Sequence, residues 1–372
     1  MNTYTVDTLQ DENDTFFIGN VSLRDAIRAA NDNPGPDRIV FSPELGKGTI
    51  NLTNGQLDIF DSLTIEGLGK NKLTLDAGGK SRVFNVSSSQ DIDVAIKNLT
   101  ITNGSESGLY NSENLEISDV VFKENASGYF DGGAIANNGN LTVNNSTFLK
   151  NTADHGGGIY NEGNLTVINS TFSDNALSEG KIQSGGAIYS KLSNSQKVTV
   201  INSTFKENNA TYGGGIYVSR ELPSASTEAD LTVINSKFLK NEAQRAGGAI
   251  YAATSDVKLA HSNISENTAF GRGGGIFSVG LGYKASLLQV FNSTIFDNSA
   301  EYGGGIYSGV KKAEIVNSTI SNNIATQQGG GVKNNSGTTV IRNSTITENK
   351  APATKGSGVA SQGDSYKIGR AH

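Results

Sequence analysis

The sequence predicts an all-β fold: a β-solenoid of about twelve stacked coils behind an amino-terminal cap that carries one short helix. Three observations lead to this prediction. Two short motifs alternate along the chain, and the runs between them alternate apolar and polar residues. Gly is also frequent, with 45 Gly against 5 Pro in 372 residues. Repeats of this length are typical of stacked architectures, in which each repeat buries its apolar face against its neighbours.

The first motif is Phe-x-x-Asn or Ile-x-x-Asn, and it occurs nine times with a spacing of 24 to 33 residues. Its last residue is Asn125, Asn151, Asn175, Asn208, Asn241, Asn267, Asn298, Asn323 or Asn349. Such short runs cannot bury themselves, so we expect them to pair in register with the coils before and after. The Asn side chains would then form a buried ladder that satisfies its own amide groups.

The second motif is Gly-Gly-(Ala/Gly)-Ile-Tyr, and it alternates with the first. Its apolar position is Ile135, Ile159, Ile188, Ile216, Ile250, Ile276, Ile306, Val332 or Val359. We expect Gly to supply the corners with positive φ, which other residues rarely adopt. Since the spacing varies, insertions must fall at corners, and the longest corner loops are Ala176–Ser184, Val218–Asp230 and Ser278–Ser286.

Residues 1–95 differ from the repeats and are interpreted as the cap with the first irregular coils, ahead of repeat coils over 96–362. Ser22 begins a helix-like stretch that places Leu23, Ala26, Ile27 and Ala30 on one face. Ser22 and Asp25 have the spacing of a capping box. A cap is expected because the open edge of a first coil would otherwise pair with other chains.

The alternating motifs resemble the polymorphic outer-membrane-protein repeat. The stretch Ser22-Leu23-Arg24-Asp25-Ala26, followed by Asn31, Asp37 and Ile39-Val40-Phe41, resembles the Cys-Ser-Leu-Arg-Glu-Ala cap domain of bacterial secreted β-helix proteins. Here Val21 replaces the Cys of that domain and Asp25 replaces its Glu. The resemblance implies a right-handed parallel β-helix that is exported, displayed on the cell surface and adhesive, without implying a catalytic site.

Both ends of the chain depart from this pattern. The final residues, 367–372, read Lys-Ile-Gly-Arg-Ala-His, which matches one reading frame of a common sequencing adapter. We interpret them as a non-native tail, and we expect the natural protein to continue past about Tyr366. The first residues, Met1–Thr5, contain no apolar core of a signal peptide.

Composition excludes several function classes. With a net charge of −6, nucleic acid is not an expected partner. The absence of Cys excludes disulfides and thiolate metal ligands. No stretch approaches 18 apolar residues, so no transmembrane segment is predicted in this chain. We expect no cofactor, with Ca²⁺ as the one alternative.

The calcium alternative comes from a column of acidic residues that precede the ladder Asn, among them Asp174, Glu207, Glu266 and Asp297. Stacked coils would bring these carboxylates within about one coil spacing, where they would repel or bind a cation. Paired carboxylates are also used by retaining glycosidases. The alternative interpretation is a solvated corner whose side chains splay apart.

Aromatic residues follow the buried Ile of the second motif, so they should point outward and stack. These residues are Tyr160, Tyr189, Tyr217, Tyr251, Phe277 and Tyr307. Such an exposed ladder suits sugar rings or a partner protein, or it serves to stiffen the sheet; the two interpretations are compatible.

We therefore predict a secreted or surface-displayed adhesin or structural rod, not an enzyme, that binds a host-surface protein or carbohydrate. Binding is expected at the long corner loops, with Arg220, Glu221 and Tyr283 as candidate ligand-binding residues, and at the aromatic ladder. The predicted location is extracellular or on the outer-membrane surface, as a monomer or with weak end-to-end association. The alternative is a polysaccharide lyase or glycoside hydrolase on the same fold.

Overall fold

The fold is a parallel β-helix, as predicted. The computed structural model describes residues 1–12, 20–128, 132–177, 184–193, 195–220, 230–280, 286–362 and 365–369. They divide into two compact units, 1–171 and 172–372. In each unit, the strands of successive coils stack into three parallel sheets. After each Gly-Gly motif the chain passes through the sheet that we call the third, then through the first and then through the second.

The first unit contains the cap and its own set of coils. Its first-sheet strands are Thr3–Val6, Asp37–Phe41, Leu63–Glu66, Asp93–Lys97, Asn114–Ser118, Asn140–Asn144 and Asn164–Ile168. Its second-sheet strands are Gly48–Asn51, Leu73–Asp76, Thr100–Thr102, Val121–Lys123 and Thr147–Leu149. Its third-sheet strands are Leu57–Ile59, Phe84–Val86, Leu109–Asn111, Ile135–Asn137 and Ile159–Asn161. Two short strands, Ala126–Ser127 and Thr152–Ala153, pair beside them.

The second unit repeats this arrangement. Its first-sheet strands are Val198–Ile201, Leu231–Ile234, Val257–Ala260, Leu287–Phe291, Lys312–Val316, Thr338–Arg342 and Ser365–Gly369. Its second-sheet strands are Thr171–Ser173, Thr204–Lys206, Lys237–Leu239, Asn263–Ser265, Thr294–Phe296, Thr319–Ser321 and Thr345–Thr347. Its third-sheet strands are Ile188–Leu192, Ile216–Arg220, Ile250–Ala253, Ile276–Val279, Ile306–Gly309, Val332–Asn334 and Val359–Ser361.

The second unit also contains a fourth sheet that the sequence interpretation treated as a corner. It has five parallel strands: Asn209–Tyr212, Glu242–Ala246, Thr268–Ala269, Ser299–Tyr302 and Ile324–Gln328. A short strand, Ala176–Leu177, precedes them. Each of these strands lies between a ladder Asn and a Gly pair. The described third-sheet strands number five in the first unit and seven in the second, in agreement with the predicted coil count.

Left-handed residues turn the coil at three places. One coil of the second unit bends at Asn202 (φ 50°), at Glu207 (φ 56°) and at Gly213 (φ 64°). Only the Gly corner had been assigned a positive φ from the sequence. At the next residue, Gly214, a Cβ would lie 2.4 Å from the carbonyl oxygen of Glu242 on the following coil, so close backbone approach excludes any side chain there.

The interior contains a Phe stack and the predicted Asn ladder. In the first unit the Phe122 and Phe148 rings stack with centroids 5.0 Å apart. Asn125 Nδ2 donates to Asn151 Oδ1 at 3.0 Å and to the Ile101 carbonyl at 3.1 Å. In the second unit the same ladder runs from Asn175 through Asn349, with Nδ2–Oδ1 distances of 2.9 Å at every described step. The buried amides therefore satisfy one another along the column.

The α-helix of the cap spans Leu23–Asn31, and Ser22 and Asp25 form the predicted capping box. A short 3₁₀ turn follows at Pro43–Leu45. Arg24 joins the helix to the first coils: its Nε contacts Asp11 Oδ1 at 2.8 Å and its Nη2 donates to the Gly55 carbonyl at 2.7 Å. This nine-residue helix is too short to cross a membrane, and the described residues contain no membrane-spanning helix.

Candidate functional site

A column of aromatic rings runs along the outer side of the third sheet in the second unit. Ring centroids are 4.9 Å apart for Tyr189–Tyr217 and Tyr217–Tyr251, 4.7 Å for Tyr251–Phe277 and 5.1 Å for Phe277–Tyr307. Each ring lies outside because the residue before it is a fully buried Ile, and successive side chains of a strand point to opposite faces. The structure thus brings these predicted residues together in one stack.

The stack differs from the predicted ladder in its exposure. Phe277 and Tyr307 are only 6% and 5% exposed, and they form a buried cluster with Ala246. Tyr212 and Tyr302 pack against that cluster. The cover comes from the fourth sheet, which folds over the later rings of the column. Partly exposed stacked rings and buried stacked rings therefore both occur, at different positions along the same column.

Bulges in the fourth sheet change the direction of its side chains. Strand Glu242–Ala246 pairs with Asn209–Tyr212 and contains one residue more than that partner between paired positions, so the pairing register shifts there. A second register shift occurs where strand Ser299–Tyr302 pairs with strand Ile324–Gln328. Bulges of this kind commonly re-aim a side chain next to a functional site. Gln244 and Arg245 occupy the first bulge, and both are exposed.

A cleft of about 440 Å³ opens between this bulge and the uncovered part of the column. We call it the aromatic cleft, and it is lined by Tyr212, Gln244, Arg245, Ala246, Tyr251, Phe270, Gly271, Arg272 and Phe277. Phe270 is 65% exposed, an unusual position for a large apolar ring. Among the lining residues, only Tyr251 and Phe277 had been singled out from the sequence.

Two arginines border the aromatic cleft. The Arg245 guanidinium carbon lies 5.9 Å from the centroid of the Tyr212 ring, and its Nη1 donates to the Tyr212 hydroxyl at 3.0 Å. The Arg272 guanidinium carbon lies 5.4 Å from the centroid of the Tyr307 ring. Both distances are within the range of cation–π attraction, which holds the guanidinium groups against aromatic faces.

The tyrosines of the column resist ionisation. Burial, followed by the neighbouring phenols of Tyr217 and Tyr212, raises the pKa of Tyr251 to about 12, although Arg272 opposes the shift. Burial also raises the pKa of Tyr217 and of Tyr307. At neutral pH these side chains are therefore hydrogen-bonding phenols rather than bases.

Of the ligand-binding residues predicted at the corner loops, the structure describes Arg220. Arg220 is buried: its Nε donates to Asp230 Oδ1 at 2.8 Å, and its Nη2 donates to the Gln196 carbonyl at 2.8 Å. Its guanidinium therefore joins the two ends of the stretch 221–229 instead of facing solvent. Glu221 and Tyr283 lie outside the described residues.

The acidic column occupies an exposed left-handed corner. Asp174, Glu207, Glu266 and Asp297 have φ between 54° and 56°. Glu207 lies 3.3 Å from Lys206 Nζ, and Glu266 lies 3.7 Å from Lys240 Nζ. Over the described part of the chain, no three His, Asp or Glu side chains are grouped closely enough to hold a metal ion. Calcium binding by this column stays a prediction.

In the first unit, Tyr160 occupies the equivalent outward position. It is half-buried, and its hydroxyl donates to Glu162 Oε1 at 2.6 Å. That contact orients the ring.

Arg245, Arg272, Gln244 and Phe270 were missed by the sequence interpretation. One signal was available in two consecutive repeats, which read Gln-Arg-Ala-Gly-Gly and Gly-Arg-Gly-Gly. Arg245 is separated from its Gly pair by one Ala, and Arg272 directly precedes its Gly pair. That signal was hidden because the stretch between the ladder Asn and the Gly pair varies in length and was treated as a loop.

Comparison with known families supports the repeat. The model of the Chlamydia polymorphic membrane protein repeat matches residues 145–162 and 235–253. Each match runs from the corner Asn before Ser-Thr or Ser-Lys through the Gly-Gly motif. These two stretches of the β-helix are therefore similar to that repeat. No curated protein matches the chain by sequence.

Comparison with solved structures supports the fold. The A-module of mannuronan C-5 epimerase AlgE6 from Azotobacter vinelandii matches with a TM-score of 0.54 and 14% identity, covering 94% of this chain and 96% of that one. The AlgE4 A-module from the same organism matches with a TM-score of 0.56 and 13% identity, covering 93% and 96%. PfbA, a surface adhesin of Streptococcus pneumoniae, matches with a TM-score of 0.40 and 14% identity, covering 93% and 86%.

Proposed function

We propose that this protein is an exported, surface-displayed β-helix that binds a glycan in its aromatic cleft, in the manner of an adhesin. The observation that carries the proposal is the exposed Phe270 ring beside the half-buried Tyr212 and Tyr251 rings, with polar groups at the same opening. Ligand sites generally combine apolar walls with a few convergent polar groups.

The chemistry of the cleft suits a sugar. Aromatic side chains combine a large apolar face with, for Tyr, a polar edge, and a pyranose ring presents the matching combination of apolar face and hydroxyl rim. Gln244 supplies both a donor and an acceptor, and the Tyr hydroxyls do the same. The stacked column and the paired strands hold these groups on rigid elements, which reduces the ordering cost of binding.

Binding is favoured over cleavage by the residues that line the cleft. None of the lining residues is Asp, Glu or His, whereas glycoside hydrolases rely on a pair of carboxylates. A lyase needs a base that accepts a proton near neutral pH, and the raised pKa of Tyr251 opposes that role. The lyase or hydrolase remains the second candidate, and product release from acidic polysaccharides would support it.

Export and surface display are supported by the matched membrane-protein repeat. The resemblance of Ser22–Ala26, with Asn31, Asp37 and Ile39–Phe41 after it, to the cap domain of secreted β-helix proteins gives further support. We include both in the proposal: the cap closes the first coil, the coils form the scaffold, and the aromatic cleft meets the ligand.

A glycan array tests this function. Wild-type protein is compared with Phe270→Ala and with Phe60→Ala, which removes another exposed Phe, 53% exposed and located in the first unit. We expect Phe270→Ala to reduce binding at least about tenfold, since aromatic anchors commonly dominate binding energy, and Phe60→Ala to leave it unchanged. A third variant replaces 221–229 with a Gly-Ser linker while keeping Arg220 and Asp230. Loss of binding in that variant alone would move the site to the corner loop.

A further inference from the structure

We propose that the aromatic cleft selects anionic sugars, with Arg245 and Arg272 contacting a carboxylate or sulfate group carried by the glycan. This inference rests on the proposed function, because it names the ligand class of the same site. A uronate and a sulfated sugar share the relevant chemistry, a fixed negative charge on a ring that stacks on aromatic faces.

The backbone brings the two arginines together. The N–H groups of Gly271 and Arg272 both donate to the Arg245 carbonyl oxygen at 2.9 Å. The arginines therefore start from directly neighbouring coils, whose backbones are about 4.8 Å apart in a sheet. Their side chains border the same opening. This spacing suits two guanidinium groups that share one anionic group or contact two adjacent residues of a chain.

Neither arginine of the cleft forms an ion pair with a described residue. Neither guanidinium lies within 4.0 Å of a carboxylate oxygen over the part of the chain that the structure describes. Each instead lies over a tyrosine ring, and Arg245 uses one donor for the Tyr212 hydroxyl. A guanidinium has five N–H donors in a planar fork, so most of them are left for a ligand, and the fork matches a carboxylate or sulfate.

This positive site stands out against the rest of the molecule. The chain has a net charge of −6. Apart from Arg342, the other described arginines are paired with carboxylates: Arg24 with Asp11, Arg28 with Asp25, Arg38 with Glu66, Arg82 with Glu106 and Arg220 with Asp230. Both arginines are exposed, so their guanidinium groups are accessible to a ligand.

Among anionic macromolecules, a glycan fits better than a nucleic acid. Nucleic-acid sites carry a row of cations that follows the phosphate backbone, and their proteins are generally basic. Here the cleft holds two cations and the chain is acidic. The cleft instead combines aromatic walls with a local anion contact, which fits a charged sugar unit.

Isothermal titration calorimetry tests the selectivity. The ligands are three oligosaccharides of equal length: a neutral glucan, a polyuronate and a sulfated glucan. The proteins are wild type, Arg245→Gln, Arg272→Gln, the double variant, Phe270→Ala and Arg82→Gln. Arg82 is the matched control, since its guanidinium carbon lies 5.6 Å from the Tyr110 ring centroid but also pairs with Glu106 in the first unit.

We expect wild type to bind at least one anionic ligand about tenfold or more tightly than the neutral one, with the preference weakening at high salt. The double variant should lose that preference while keeping its melting temperature, and Arg82→Gln should retain it. The stronger of the uronate and sulfate arms identifies the charged group.

Other outcomes separate the two proposals. Equal affinity of wild type for all three ligands, with binding still lost in Phe270→Ala, overturns the anion selectivity and leaves the glycan-binding function in place. A preference that survives in the double variant also overturns the role of the arginines. Failure of all three ligands to bind contradicts both proposals.

Discussion

Arg220 and Asp230 form a buried ion pair across the stretch 221–229, with side chains only 1% and 3% exposed and an Nη2–Oδ1 distance of 2.7 Å. Asp230 Oδ2 also accepts the backbone N–H of Asp256 at 2.9 Å. The pair therefore ties the two residues that flank 221–229 to each other and to the next coil.

Removing one partner of this pair should be strongly destabilising. Asp230→Ala leaves a buried guanidinium without its counter-charge, and we expect the free energy of unfolding to fall by about 3–5 kcal/mol. The control is Glu314→Ala, which breaks the Lys312–Glu314 pair, in which the Lys312 side chain is 52% exposed. That change should cost less than about 1 kcal/mol. Urea unfolding measures both, and equal costs would contradict the structural role of Arg220.

Replacing an Asn of the interior ladder by Ala should destabilise the protein. Asn125→Ala removes the acceptor of the Gly104 N–H and one donor from the Ile101 carbonyl, while the Asn151 amide oxygen keeps the backbone N–H of residue 125. At about 1 kcal/mol or more for each buried hydrogen bond that is lost, we expect a loss of about 1–3 kcal/mol.

The same unit contains a matched control for this substitution. Asn140 belongs to a second Asn ladder with Asn114 and Asn164, but this ladder is exposed. Asn140→Ala should change stability by less than about 0.5 kcal/mol. Comparable losses for the two variants, measured by thermal unfolding followed by circular dichroism, would show that the interior ladder is not a stabilising element.

Tyr251 should ionise late in an alkaline titration. Its pKa in the folded protein is about 12, above the ordinary value of 10.0. Because the folded state disfavours the phenolate, stability should be unaffected below pH 10 and should fall as the pH rises from 10 towards 12. Ultraviolet absorbance follows the ionisation, and Tyr251→Phe should remove one tyrosine from the late-titrating component. A late component of unchanged amplitude in that variant would refute the assignment.

Asp11 should contribute to the stability of the cap in a way that acid removes. Burial alone would raise its pKa, but the hydrogen bond and charge of Arg24 and the backbone N–H groups of Asn54 and Thr53 outweigh burial and hold the pKa below the ordinary 3.8. Since the folded pKa is the lower one, the stabilisation is present above pH 3.8 and is lost as the pH falls through the folded value.

The corresponding variant is Asp11→Asn. It should lower the melting temperature at neutral pH and flatten the decline of stability in acid. Asp91→Asn, at an exposed position, should leave both unchanged. If Asp11→Asn and wild type lose stability in parallel below pH 3.8, the Arg24–Asp11 contact is not the acid-sensitive element.

Much of the fold follows from residues that recur at fixed spacing. Phe122, Phe148 and the ladder at Asn125 were predictable because each coil repeats the same short motif, and a one-residue slip would expose the apolar set. The helix at Leu23–Asn31 was predictable because Ser22 and Asp25 form a local signal. In both cases the determining interactions lie within one motif or its copy.

The aromatic cleft was not predictable in the same way. It depends on a bulge at Gln244–Arg245, where one extra residue redirects the side chains, and on the fourth sheet, whose strands lack a strong alternating pattern. The stacking of Tyr251 and Phe277 followed from strand alternation, but their cover did not, because it comes from a stretch of another coil. The burial of Arg220 likewise depends on Asp230 and Gln196, which no local pattern links to it.

The measurement that tests the central claim most directly is a crystal structure of the protein with a bound anionic oligosaccharide. The account predicts a sugar ring against Phe270, Tyr251 and Tyr212, with its charged group within hydrogen-bond distance of the Arg245 or Arg272 guanidinium. A sugar bound only at another face, with the aromatic cleft occupied by solvent, would contradict the account.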